Sequence, residues 1–140
     1  MDLYLDSSIV VALFVADALS ARSERLLEKA PAILVISDFV MAEFASAVAR
    51  RVRMKLVTPG EARSVFADFD SWAARVAARI ETMPQDIDEA ARILRRLDLN
   101  LRAPDAVNIA IAQRVGAQLA TFDEGMAAAA KSLRVPVAAT

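Results

Sequence analysis

The chain contains neither cysteine nor histidine. Without cysteine there is no disulfide framework and no thiol nucleophile, which fits a reducing compartment. Without histidine the usual zinc sites, a Ser-His-Asp triad and any nuclease that uses imidazole as acid and base are excluded. Carboxylates must therefore carry any catalysis. Glycine is scarce, with single residues at 60, 116 and 125, so the dinucleotide fingerprint and the P-loop are both absent. The longest apolar runs, such as Ile9 to Ala16, fall well short of the roughly 20 residues of a membrane span. Asp2 follows Met1, with no basic n-region of a secretory signal, so a cytoplasmic protein with no membrane partner is expected. Charge of neither sign dominates: the net charge is −1, and no global basic field announces nucleic acid.

What is present is apolar and rich in arginine. Hydrophobic residues make up 56% of the chain, much of the excess being the helix-former alanine. The remainder suggests surface buried against a partner. The 140 residues fit one domain, expected to span 1–140, with no repeat, low-complexity stretch or linker. A chain of this size buries roughly 68–70% of its unfolded surface without staples. Arginine outnumbers lysine 14 to 3, with local clusters at Arg50, Arg51, Arg53 and Lys55 and at Arg92, Arg95 and Arg96. The guanidinium fork suits phosphate and equally suits surface ion pairs.

Hydrophobic spacing predicts strands alternating with helices. Strands are expected at Asp2–Leu5, Ile33–Ile36, Gln118–Thr121 and Val135–Ala138, and a short one within the ambiguous stretch Arg75–Thr82. Asp6-Ser7-Ser8 should cap a helix over Ile9–Val15. Further helices are expected over Ser20–Lys29, stopped by Pro31, and from Ser37 or Asp38 to Arg53. Thr58-Pro59-Gly60-Glu61 reads as a capping box opening a helix that reaches Ala74. Others follow over Gln85–Leu97, from Arg102-Ala103-Pro104-Asp105 to Gly116, and from Asp123-Glu124 to Leu133. This alternation predicts an α/β fold with a parallel sheet covered on both faces. In such sheets a ligand sits beyond the carboxyl ends of the strands, where strand order reverses.

Four acids occupy that rim. Asp6 follows the first strand, Glu43 lies about one and a half turns into the helix after the second, Asp105 is in the first turn of the apolar helix, and Asp123 follows the fourth strand. Singly, Asp6 and Asp123 read as helix caps, and Asp105 as a carboxylate at a positive helix end. Glu43 shares a stripe with Val40 and Ala47, where an unpaired acid is costly. Ser7, Ser8 and Thr121 flank the acids and could orient a carboxylate or hold water. Two unit charges about 4 Å apart repel by about 4 kcal/mol at an effective dielectric near 20, so such a cluster needs protonation or a hard cation. Oxygen-only donors suit Mg²⁺ or Mn²⁺, and acids with nearby arginines read as phosphodiester hydrolysis.

The same residues carry a resemblance. Leu3-Tyr4-Leu5-Asp6-Ser7-Ser8, Glu43, Ala103-Pro104-Asp105-Ala106-Val107-Asn108-Ile109-Ala110 and Thr121-Phe122-Asp123 with Met126 occur in the order found in PIN-domain ribonucleases. The sequence resembles in particular the VapC toxins of bacterial toxin–antitoxin pairs. The set spans nearly the whole chain, and the one visible departure is Ser7 where threonine is commoner. The resemblance implies a three-layer α/β/α sandwich around a parallel sheet of about five strands. It implies Mg²⁺- or Mn²⁺-dependent cleavage of RNA by a homodimer held in check by a cognate VapB-like antitoxin. Carried over, Asp6, Glu43, Asp105 and Asp123 become the metal-binding catalytic acids. Two other readings share the alternating pattern: a receiver-type signalling domain and a non-catalytic interaction module. The first is disfavoured because Ser7 stands where a paired acid belongs, Pro84 follows the third strand and no lysine follows Pro136.

Overall fold

The computed structural model describes residues 1–15, 17–30 and 32–140; the helix stop expected at Pro31 lies outside them. Its sheet has four parallel strands, β1 (Leu3–Leu5), β2 (Leu34–Ser37), β3 (Ala77–Ile80) and β4 (Gln118–Ala120), in the order β3-β2-β1-β4. Tyr4 pairs with Val35 on one side and Leu119 on the other. All residues of β1 and β2 are buried. Because successive side chains of a strand point to opposite faces, both faces of the sheet must be covered, giving the expected three-layer sandwich. The expected last strand over Val135–Ala138 contracts to one parallel bridge from Val137 to Leu119. Pro136 accepts from Leu119 N–H at 2.8 Å but has no N–H of its own to extend the ladder.

Strand order fixes where a site can form. From β1 the chain steps outward through β2 to β3, then returns to place β4 on the other side of β1. The reversal lies between β1 and β4, and the crevice opens beyond their carboxyl ends. A receiver domain would instead set β1 between β2 and β3, an order this sheet does not have.

The helices are α1 (Ser7–Phe14), α2 (Ser20–Lys29), α3 (Asp38–Arg53), α4 (Pro59–Val76), α5 (Pro84–Leu94), α6 (Ala103–Val115) and α7 (Glu124–Ser132). Helix α6 is buried along every residue from Ala106 to Ala112, so a large part of the apolar excess is core. It ends where Gly116 takes a φ of 66°, a left-handed conformation suited to glycine. The ambiguous stretch 75–82 divides, with α4 running to Val76 and β3 following directly. Helix α5 stops at Leu94, short of the expected Leu97, whose φ is 65°. Phe14 of α1, Phe44 of α3 and Phe69 and Trp72 of α4 pack mostly edge to face, with Phe44 and Phe69 centroids 4.3 Å apart. This cluster anchors the side of α3 next to Glu43. Among the described residues no helix is long and apolar enough to cross a membrane.

Candidate active site

Asp6 is the best-held acid. It sits directly after β1, is 2% exposed, and caps α1: its Oδ1 accepts from the N–H groups of Ser8 at 3.0 Å and Ile9 at 3.3 Å. The Ser8 hydroxyl donates to the same oxygen at 2.6 Å, and the Thr121 hydroxyl donates to Oδ2. Both hydroxyls also accept from the segment after β4, Ser8 from Phe122 N–H and Thr121 from Asp123 N–H. The two strand ends at the reversal point are thereby tied through one carboxylate. Of the expected hydroxyl residues, Ser8 and Thr121 orient Asp6, whereas Ser7 lines the cleft beside Glu43.

Glu43 is half-buried, at the edge of an α3 stripe whose centre is Val40, Phe44 and Val48. Phe44 points into the aromatic cluster, and the neighbouring residue is turned toward the crevice. Glu43 Oε1 accepts from Asn108 Nδ2 at 2.7 Å. Asn108 is 1% exposed on α6, and its amide also donates to Pro104 O at 3.1 Å. Its Oδ1 accepts from the Tyr4 hydroxyl at 2.7 Å, which in turn lies 2.8 Å from Ser37 Oγ. The sequence reading missed Asn108 and Tyr4. The one available signal is an amide in an otherwise apolar helix, and a lone amide does not show what it faces.

Asp105 Oδ2 accepts from Arg102 N–H at 3.1 Å and Asp123 Oδ1 from Met126 N–H at 2.9 Å. Each is a helix-start contact, as the capping reading expected. Each leaves the second oxygen, Asp105 Oδ1 or Asp123 Oδ2, without a protein donor among the described residues. All four acids line one open cleft of about 480 Å³, together with Ser7, Ser8, Arg102, Pro104 and Met126. Arg102 is the one cation in that lining. Arg50, Arg51 and Arg53 lie in the last turn of α3, roughly 10–15 Å along the helix from Glu43 at 1.5 Å per residue. Of the second cluster, Arg92 and Arg96 form exposed ion pairs with Glu89 and Asp98.

Burial pushes the Asp6 carboxyl above the ordinary carboxylate range; the bonds from Ser8, Thr121 and the Ile9 N–H oppose the rise without cancelling it. Burial also raises Glu43; the Asn108 bond opposes this, and the charges of Asp6 and Asp105 add to it. Glu43 thus feels the negative charges of Asp6 and Asp105 across the cleft. Among the described residues no three acidic side chains stand close enough to ligate one ion as they are. The fit to a hard divalent cation is one of donor chemistry: carboxylate oxygens only, two of them free of protein donors, in one cleft.

A family model for the PIN domain matches residues 3–132. The chain belongs to the PIN domain family. This PIN domain is also similar to solved structures, at identities that speak to fold alone. One is the sarcin-ricin loop cleaving toxin VapC20 of Mycobacterium tuberculosis, with a TM-score of 0.73, 23% identity and coverage of 91% of this chain and 95% of that one. VapBC2 from Rickettsia felis, bound to a promoter DNA fragment, gives 0.66 at 18% identity, covering 97% and 94%. FitAcB from Neisseria gonorrhoeae gives 0.68 at 20%, covering 96% and 95%. Comparison of the PIN domain sequence with curated proteins gives no match.

Proposed function

We propose that the protein is a divalent-metal-dependent endoribonuclease and the toxin of a bacterial toxin–antitoxin pair. The observation that carries this is the convergence of Asp6, Glu43, Asp105 and Asp123, from four segments distant in sequence, on one cleft at the reversal point of a PIN sheet. In the proposed mechanism these acids hold Mg²⁺ or Mn²⁺. When bound, such an ion polarises the phosphodiester and relieves the mutual repulsion of the carboxylates. Asp6 is locked in one orientation by Ser8 and Thr121, which spares the reaction the entropy of ordering it. A carboxylate of the cluster takes the proton of the attacking water, and Arg102 at the cleft wall draws in the phosphate.

The toxin reading draws on neighbours described as VapC20, VapBC2 and FitAcB, and it brings a cognate VapB-like antitoxin as partner. A basic side chain of that partner entering the cleft would occupy the place of ion or phosphate and so inhibit. A homodimer acting in the cytoplasm completes the proposal. The test is cleavage of RNA with Mn²⁺, with chelator, and by Asp6→Asn and Asp105→Asn. Loss of cleavage in the last three supports the reading; undiminished cleavage by the two variants overturns it.

A further inference from the structure

One polar chain inside the core runs from a helix cap to an acid of the cleft. It starts at the Val40 N–H, which donates to Ser37 Oγ at 3.0 Å. Ser37 caps α3 in this way and is itself fully buried at the end of β2. Its hydroxyl lies 2.8 Å from the hydroxyl of Tyr4, which is fully buried in the middle of β1. Tyr4 gives its proton to Asn108 Oδ1 at 2.7 Å. With that proton committed, the Ser37–Tyr4 bond can only be donated by serine. Asn108 spends its two amide hydrogens on Glu43 Oε1 and Pro104 O. The amide orientation follows from this accounting, since a flipped Asn108 would set its oxygen against two acceptors.

Every bond in the chain therefore points the same way: Val40 to Ser37 to Tyr4 to Asn108 to Glu43. It joins β2, β1, α6 and α3, and it ends on an acid of the cleft. Aliphatic side chains at these positions would pack an α/β core without any need for partners. A tyrosine buried only for its ring needs one acceptor, and a backbone carbonyl would supply it. An asparagine whose amide reaches out of the core to a half-buried carboxylate does something more. It fixes one oxygen of Glu43 from within the core, and the Ser7 hydroxyl at the cleft is the other side-chain partner of that carboxylate. Aligned bonds also polarise one another, so the amide is a stronger donor at the end of the chain than alone.

We infer that Asn108, backed by Tyr4 and Ser37, is a positioning residue that presets Glu43 for a divalent cation. The inference rests on the proposed metal site and goes beyond it in naming the side chains that tune one of its ligands. Partners behind a metal ligand are worth roughly ten- to a hundredfold in metal affinity. A structural role and a positioning role differ in what they move: the first lowers folding stability alone, the second also weakens cation binding in protein that remains folded.

The experiment measures Mn²⁺ affinity by electron paramagnetic resonance, and the unfolding midpoint without metal, for the wild type, Asn108→Ala, Asn108→Leu and Tyr4→Phe. The expected result is Mn²⁺ affinity weaker by at least about tenfold in the Asn108 variants. Tyr4→Phe, which keeps the ring and removes only the hydroxyl, should weaken it in the same direction by a smaller factor. If the Asn108 variants fail to fold, Tyr4→Phe decides. Mn²⁺ affinities within twofold of wild type in the folded variants overturn the inference and leave the proposed function standing. A wild type that binds Mn²⁺ but does not cut RNA overturns the proposed function and leaves this inference to be judged on the affinities. A wild type that binds no Mn²⁺ overturns both.

Discussion

The Thr121 hydroxyl donates to Asp6 Oδ2 across 115 residues of sequence, and both groups are buried. Thr121 also accepts from the Asp123 N–H at 3.0 Å, so one hydroxyl sets two acids of the cleft relative to each other. Thr121→Val keeps the shape and removes both bonds. Hydrogen bonds to charged groups contribute about 1.5–3 kcal/mol, and the lost donor leaves Asp6 harder to ionise. The expected outcome in urea unfolding is a loss of about 2 kcal/mol at neutral pH. RNA cleavage should fall and its pH profile move upward. Thr121→Ser, which keeps the hydroxyl, should recover most of both.

The raised pKa values of Asp6 and Glu43 predict opposite pH trends with and without metal. A carboxyl whose pKa is higher folded than unfolded binds more protons in the native state. Its contribution to stability is complete below the unfolded value of about 4 and is lost as pH rises through the folded value. The metal-free protein should therefore lose stability over the range above about pH 4, so far as these two groups decide it. A divalent ion needs both groups ionised, so the rise in melting temperature caused by Mn²⁺ should grow with pH over the same range. Differential scanning fluorimetry from pH 5 to 8, with chelator and with Mn²⁺, checks both slopes. Parallel slopes would remove the ion from the cleft.

The ion pair of Asp86 and Arg114 separates architecture from chemistry. Asp86 is 1% exposed and receives Arg114 Nε at 2.7 Å and Nη2 at 2.9 Å, while its Oδ2 also takes the Met83 N–H at the start of α5. Asp86→Ala strands a guanidinium that is 29% exposed and removes the helix-start bond. Breaking a buried pair costs about 3–5 kcal/mol, and the partial exposure of Arg114 argues for the lower figure, a fall of roughly 6–12 °C in Tm. Mn²⁺ affinity in the folded fraction should not change. A change there would mean that the α5–α6 contact acts on the cleft.

The four acids could be found in the sequence because each stands at a strand end or helix start, and in a parallel sheet those points share one rim. Strand alternation and capping residues likewise located most elements. What could not be read is what depends on neighbours across the sheet. Tyr4 is one apolar-looking letter in a short strand, and its hydroxyl matters only because α6 crosses β1 at Asn108. The last strand was expected in full because apolar spacing is blind to the ladder bond that Pro136 lacks. Glu43 shares the stripe of Val40 and Ala47 in the sequence, yet it stands at the edge of the buried stripe, whose centre is Val40, Phe44 and Val48, with Phe44 packed in the aromatic cluster. Arginine clusters were visible as runs, yet the cation at the cleft is the isolated Arg102.

Arg102 gives the sharpest kinetic prediction. Its backbone N–H holds Asp105, while its side chain makes no ion pair among the described residues although four carboxylates share the cleft. A guanidinium left unpaired beside acids is available to an incoming phosphate, and near a cluster of negative charge an incoming polyanion needs such a contact. Arg102→Ala should raise KM for RNA more than it lowers kcat, because the contact helps hold substrate in ground and transition states alike. Removing one phosphate contact should also flatten the dependence of log binding on log salt by about one, with equal effect on all RNA sequences. Mn²⁺ affinity should not fall, since a positive charge next to the ion is lost. A variant with unchanged KM and salt slope would show that RNA enters the cleft along another wall.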